Sequence, residues 1–321
     1  MEFRRRDYFS VFTVLGLAVS VLMAYSYVGA VLYNLTDLWI STGKASETRW
    51  LFRLFHSPWT EQLIQYVFVI GASYGIIALI LQRIPKFPCR KQKLPLKCFF
   101  LCFAAAMGAG YLFNGIGTAI NVIVGMFSNK TLEDMNPVLS ITEAMSPSMI
   151  LYVCLVGPFM EELLFRGMLL SRARVFGDRT AVFFTAILFG LMHGNLTQCL
   201  YGIAIGLVLG YVAVRTNGIR YTFLLHTMIN SFGIVISFGE KIAERIPIFG
   251  LVDVYGFFIM ILIIDLVVAA IVIFFRYGRF AFMQLTWNNE APSPYRKYVY
   301  LNPGVLLYIV LCLIEISSFL W

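Results

Sequence analysis

Apolar residues in this chain recur in runs of about 17 to 25 positions, the length an α-helix needs to cross the hydrocarbon layer of a membrane. The runs fall near residues 9–32, 62–81, 98–127, 149–171, 180–194, 196–214, 221–239, 252–275 and 303–320. This pattern predicts an all-α polytopic membrane bundle of about eight to nine helices. The third run is long for one straight crossing, and Gly108, Gly110, Gly115 and Gly117 within it predict a tilt or a break. The fifth is short and joins the sixth through Gly194-Asn195. The turn-rich stretch from Asn288 to Pro294 reads as a linker before a peripheral last helix. Polar residues divide the bundle into amino-terminal helices (1–148), a central motif-bearing core (149–239) and carboxyl-terminal helices (240–321). No internal repeat is visible, which weakens an inverted-repeat transporter reading.

Composition agrees with a membrane protein and narrows the function. Of 321 residues, 60% are hydrophobic and 13% charged, against about 25% charged in a soluble domain. A soluble enzyme, a disordered chain and a nucleic-acid binder are all excluded, because the basic residues form no continuous face. The net charge of +8 reflects orientation instead. Across nine spans, Lys and Arg distribute 18 to one side and 6 to the other, which predicts a cytoplasmic amino terminus and an outer carboxyl terminus, most simply in the cell membrane. The loop from Arg83 to Lys97 owes its basic character to this topology. Arg4-Arg5-Arg6 before a 24-residue apolar run reads as an uncleaved spanning helix. The ending Phe319-Leu320-Trp321 carries no prenylation box. Six cysteines without a CxxC pair suggest neither a disulfide framework nor a thiol-metal site.

Against that background, ionisable residues at membrane depth stand out, since each costs several kcal/mol unless it serves a purpose. They gather in three runs. The fourth reads Gly157-Pro158-Phe159-Met160-Glu161-Glu162-Leu163-Leu164-Phe165-Arg166-Gly167, the fifth ends Phe189-Gly190-Leu191-Met192-His193, and the seventh holds His226-Thr227-Met228-Ile229-Asn230. Residues four apart share a helix face, so Glu162 and Arg166 pair and Glu161 is left as the free carboxylate. His226 and Asn230 present an imidazole and an amide together. Converged on one cavity, Glu161, His193, His226 and Asn230 have the parts to add water to a carbonyl: a base for the water and donors for the developing oxyanion. The reaction class is peptide hydrolysis, and no serine nucleophile is needed. From the cytoplasmic ends, helical rise places His226 about 8 to 10 Å deep, Glu161 about 15 Å and His193 about 20 Å, a mismatch that a tilted fifth helix would remove.

The patterns EExxxR, FxxxH and HxxxN, in this order on separate membrane helices, resemble the type II CAAX prenyl endopeptidase family, also called the CPBP or Abi intramembrane proteases. The resemblance covers about residues 149–239, and Pro158 and the Phe165-Arg166-Gly167 run fit its surroundings. It implies an intramembrane endopeptidase in which Glu161 activates water, His193 helps bind or polarise it, and His226 with Asn230 stabilises the oxyanion. Glu162 and Arg166 are then support. It implies a peptide or protein partner, membrane-associated, hydrophobic or lipidated, with membrane lipids around it. The family's long description as metal-dependent leaves the cofactor as none or Zn²⁺, the latter on Glu161, His193 and His226. Without an HExxH motif, the metal-free route is the preferred one.

Other classes use similar residues. A proton-coupled transporter also buries Glu, His and Asp, but needs a pathway to both faces; a catalytically idle relative would serve as a membrane scaffold. Gly202, Gly206 and Gly210 predict close helix packing. Asp265 reads as a relay residue or a helix-bonding one, and His56 has no assigned role.

Overall fold

The computed structural model describes residues 4–42, 50, 53, 57, 71–87, 90–128, 130–136, 146–285 and 295–321. Regular structure among the described residues is helical throughout. The long helices are α1 (Arg5–Thr42), α2 (Ser73–Leu81) and α3 (Leu96–Ser128), then, after a short α4 (Leu132–Met135), α5 (Pro147–Phe176), α6 (Asp178–Leu191), α7 (Leu196–Thr216) and α8 (Arg220–Arg245). α9 (Leu251–Gln284), a short α10 (Lys297–Tyr300) and α11 (Pro303–Leu320) follow. Seven of them are long and apolar enough to cross a membrane: α1, α3, α5, α7, α8, α9 and α11. The protein is an all-α polytopic integral membrane bundle.

Of the two remaining predicted spans, α2 is described from Ser73, and positions 62–70 of its run lie outside the described residues. So do His56 and the Asn288 to Pro294 stretch. α6 has 14 residues, about 21 Å of helix, short of the roughly 30 Å hydrocarbon layer. It is instead sunk in the bundle, with Ala181, Phe184 and Ala186 fully enclosed.

Local chemistry explains where the central helices begin. Ser146 accepts from the Met149 N–H ahead of Pro147 at the start of α5, and the Asn195 side chain accepts from Gln198 N–H at the start of α7; both satisfy main-chain donors that a helix start leaves free. Between α6 and α7, Gly194 takes φ +68°, a left-handed conformation suited to glycine. At the α7–α8 turn Asn217 is also left-handed, at φ 53°. Its side chain accepts from Arg174 at 2.7 Å and donates to Arg90 O at 2.7 Å. The loop before α3 closes over this turn through Gln92 N–H to Thr216 O and Phe87 N–H to Ser171 O.

Two expectations need correction. α3 is unbroken over 33 residues, which removes the break and leaves the tilt that a helix of about 50 Å needs in a layer of about 30 Å. Its glycines serve close packing: a Cβ on Gly108 would strike Leu266 of α9, and one on Gly117 would stand 2.7 Å from Thr197 Cα of α7. The last helix is also not peripheral. Gly16 of α1 and Gly304 of α11 cross so closely that a Cβ on either would overlap the other's main chain. Val305, Tyr308 and Cys312 of α11 are fully enclosed with Phe12 and Leu15 of α1, and the Tyr308 hydroxyl donates to Leu188 O of α6 at 2.8 Å. α9 is the outlier, with none of its most apolar stretch buried, as a lipid-facing helix would be.

Candidate active site

α5 carries the two carboxylates, and it is not a regular α-helix there. Wider π turns cover Tyr152–Val156 and Leu163–Leu170, on either side of the α-helical Gly157–Glu162. Such turns shift side-chain register and favour functional positions. The Asn230 amide of α8 donates to Val153 O in the first π turn at 2.8 Å, a main-chain acceptor that would otherwise face an apolar interior.

Glu162 and Arg166 pair at 2.9 Å with both side chains fully enclosed. The guanidinium also donates to Gly206 O of α7 at 3.3 Å and lies 4.5 Å above the Phe189 ring of α6. Four helices therefore meet at this pair once His226 of α8 is added: its Nδ1 lies 3.0 Å from the same Glu162 Oε1. A carboxylate only accepts, so Nδ1 carries the proton and Nε2 is directed away from Glu162. That Nε2 lies 3.7 Å from Oε2 of Glu161, too long for a direct hydrogen bond.

His193 is fixed in the same manner. Its Nδ1 lies 2.9 Å from Phe189 O, a carbonyl that can only accept, so its Nε2 is again the free nitrogen. The Phe189 ring stands edge-on to both imidazoles, with centroids 5.0 Å from His193 and 5.7 Å from His226. The glycines of α7 admit this close approach. A Cβ on Gly202 would stand 3.0 Å from Gly190 Cα and 3.2 Å from His193 Nδ1, and one on Gly206 would be 3.1 Å from Ala186 Cα. The predicted packing role of these glycines is borne out.

Glu161 has a quarter of its side chain exposed, whereas Glu162 is enclosed. Glu161 and His193 open onto a cleft of about 210 Å³, lined also by Leu22, Met23, Ser26, Tyr74, Tyr152, Gly157, Met160, Met192 and Glu315. The structure thus brings together Glu161, Glu162, Arg166, His193 and His226, and turns Asn230 toward α5. Part of the expected depth mismatch closes because α5 continues to Phe176, whereas His226 stays six residues from the start of α8. Glu161 and His193 then each lie 15 residues from the end of their helical hairpin. Asp265 is exposed on α9 and does not border the cleft.

Sequence reasoning passed over Glu315, Tyr74 and Tyr152, and gave Phe189 no role beyond its motif. Glu315 could have been found, as an acid inside the last apolar run. The tyrosines carried no signal.

Zn²⁺ is the cofactor raised by the sequence. Among the described residues, no three His, Cys, Asp or Glu side chains are grouped so as to hold a metal ion. As arranged here, Glu161, His193 and His226 do not form such a group.

A helical membrane bundle with paired carboxylates and imidazoles at depth defines the class. Comparison adds a likeness: residues 143–232 are similar to the type II CAAX prenyl endopeptidase Rce1-like family, the resemblance that the three motifs carry. The chain is also 26% identical over 187 residues to the "Putative membrane peptidase YdiL" of Bacillus subtilis (strain 168), spanning 57% of this chain and 73% of that protein. No solved structure matches. At the level of the family, these similarities support a membrane protease.

Proposed function

We propose that this protein is an intramembrane endopeptidase that hydrolyses peptide bonds of membrane-associated, hydrophobic or lipidated substrates with a Glu161-activated water. The observation that carries the reading is the 3.7 Å approach of Glu161 Oε2 to His226 Nε2, beside a cleft that Glu161 and His193 line together. A water within hydrogen-bonding reach of both Glu161 and His226 is activated as follows. Glu161 accepts its proton while the oxygen attacks the scissile carbonyl carbon. The proton then passes to the leaving nitrogen as the C–N bond breaks, giving a free acid and a free amine. His193 Nε2, in its protonated form or through a water, faces the carbonyl oxygen as negative charge develops there. Asn230 acts beside it, its second amide hydrogen being the available one, and keeps the π turn of α5 in place through Val153.

Glu162 and Arg166 position His226: the ion pair fixes the acceptor that fixes the ring. The amino terminus is cytoplasmic in this reading, and the cleft is reached from that side.

The test is cleavage of a quenched-fluorescent hydrophobic peptide library by the purified protein and its Glu161→Gln variant. Turnover by the wild type alone supports the assignment. Equal turnover by a folded Glu161→Gln protein overturns it.

A further inference from the structure

The cleft contains a second carboxylate. Glu315 projects from α11, outside the segment matching the protease family, and lines the wall shared by Glu161 and His193. Its carboxyl group packs on the Gly194 turn directly after His193: a Cβ on Gly194 would stand 2.7 Å from Glu315 Cδ and Oε1. Gly194 therefore provides both the left-handed turn and the room for this carboxylate. The Tyr27 hydroxyl of α1 donates to Leu311 O of α11 at 3.1 Å, one turn before Glu315. The tight α1–α11 crossing at Gly16 and Gly304 fixes the helix that carries it.

Among the described residues, the cleft lining includes two carboxylates, three hydroxyls, and Leu22, Met23, Met160 and Met192, but no Lys or Arg. Arg166, the nearby cation of α5, is committed to Glu162. A wall of this kind is suited to an amphipathic cation whose methylene stem lies along methionines while its charged head reaches a carboxylate. A positive group at membrane depth gains strongly from such a partner.

We propose that Glu315 is a specificity-determining residue, selecting substrates with a Lys or Arg side chain next to the scissile bond. This rests on the endopeptidase reading for its biological meaning, but the recognition itself is measurable without turnover. The probes are three fluorescent peptides, identical except for Lys, norleucine or Glu beside a non-cleavable reduced-amide bond. Their binding to the detergent-purified full-length protein is followed by anisotropy. The Lys peptide should bind about tenfold more tightly than the norleucine peptide, the scale of one charge-assisted hydrogen bond, and the Glu peptide more weakly than either. In Glu315→Gln the Lys-to-norleucine ratio should fall to about one, and in Glu315→Asp, which keeps the charge, it should largely persist. A wild type that binds all three alike, or a ratio unchanged in a folded Glu315→Gln protein, overturns the proposal. If Glu315→Gln does not fold, the wild-type series alone decides. Charge-selective binding by a protein that cleaves no peptide would keep this inference and sink the endopeptidase reading.

Discussion

His226 and Glu162, 64 positions apart, meet at 3.0 Å between Nδ1 and Oε1. Through this contact the buried ion pair of α5 controls a ring on α8. Glu162 already accepts from Arg166 at 2.9 Å, so a single oxygen serves a guanidinium and an imidazole. Because that oxygen accepts the Nδ1 proton, the His226 Nε2 is turned toward Glu161. The adjacent glutamates thus divide the work: the enclosed one organises and the partly exposed one faces the cleft.

Replacing the organising residue should affect folding first. Glu162→Gln removes the charge opposite a fully enclosed Arg166, and breaking a buried pair from one side costs about 3 to 5 kcal/mol. The thermal midpoint in detergent should fall markedly, with activity reduced in whatever fraction stays folded. An unchanged midpoint would mean that Arg166 finds another partner.

Glu161→Gln should behave in the opposite way. Its side chain is a quarter exposed and, among the described residues, its nearest ionic neighbour is His226 at 3.7 Å, so the amide is accommodated and the midpoint should stay close to wild type. Loss of a general base lowers turnover by about 10²- to 10⁴-fold. Rates on the fluorogenic library, read together with the melting curve, separate this from unfolding.

The sequence made the chemical core readable because helices impose a simple rule of faces: the spacing in EExxxR is enough to predict the Glu162–Arg166 pair. The same rule is silent about partners between helices. His226 bonding to Glu162, and Asn230 turning to Val153, depend on how α8 packs against the π turns of α5, and π turns have no sequence period. Span lengths misled where packing replaced lipid. The glycines of α3 read as a possible break yet the helix is continuous and they accommodate α7 and α9, and α11 read as peripheral although Gly16 and Gly304 lock it to α1. Glu315 was legible as an acid in an apolar run, but its place in the cleft depended on that crossing.

Chelation should leave activity unchanged. The described residues group no three metal-binding side chains, although both imidazoles keep Nε2 free with Nδ1 held by Glu162 or Phe189 O. Rates measured before and after dialysis against a strong chelator, then after zinc addition, check this. Loss on chelation with recovery on zinc would show that Glu161, His193 and His226 close further than they do here.

Gly202→Ala tests whether α7 sets the position of His193. The added methyl would stand 3.2 Å from His193 Nδ1 and 3.0 Å from Gly190 Cα, and neither is the far end of a flexible chain. Overpacking of this kind costs about 1 to 3 kcal/mol, and a displacement of the ring should lower turnover by up to about 10²-fold. Gly233→Ala on α8 is the control, since a Cβ there meets nothing within 4 Å; it should leave turnover intact and raise helix stability by up to about 1 kcal/mol. Parallel melting curves and rates for the two variants decide the matter. Equal activity in both would mean that the α6–α7 contact yields without moving His193, and that the Phe189 carbonyl alone holds the ring.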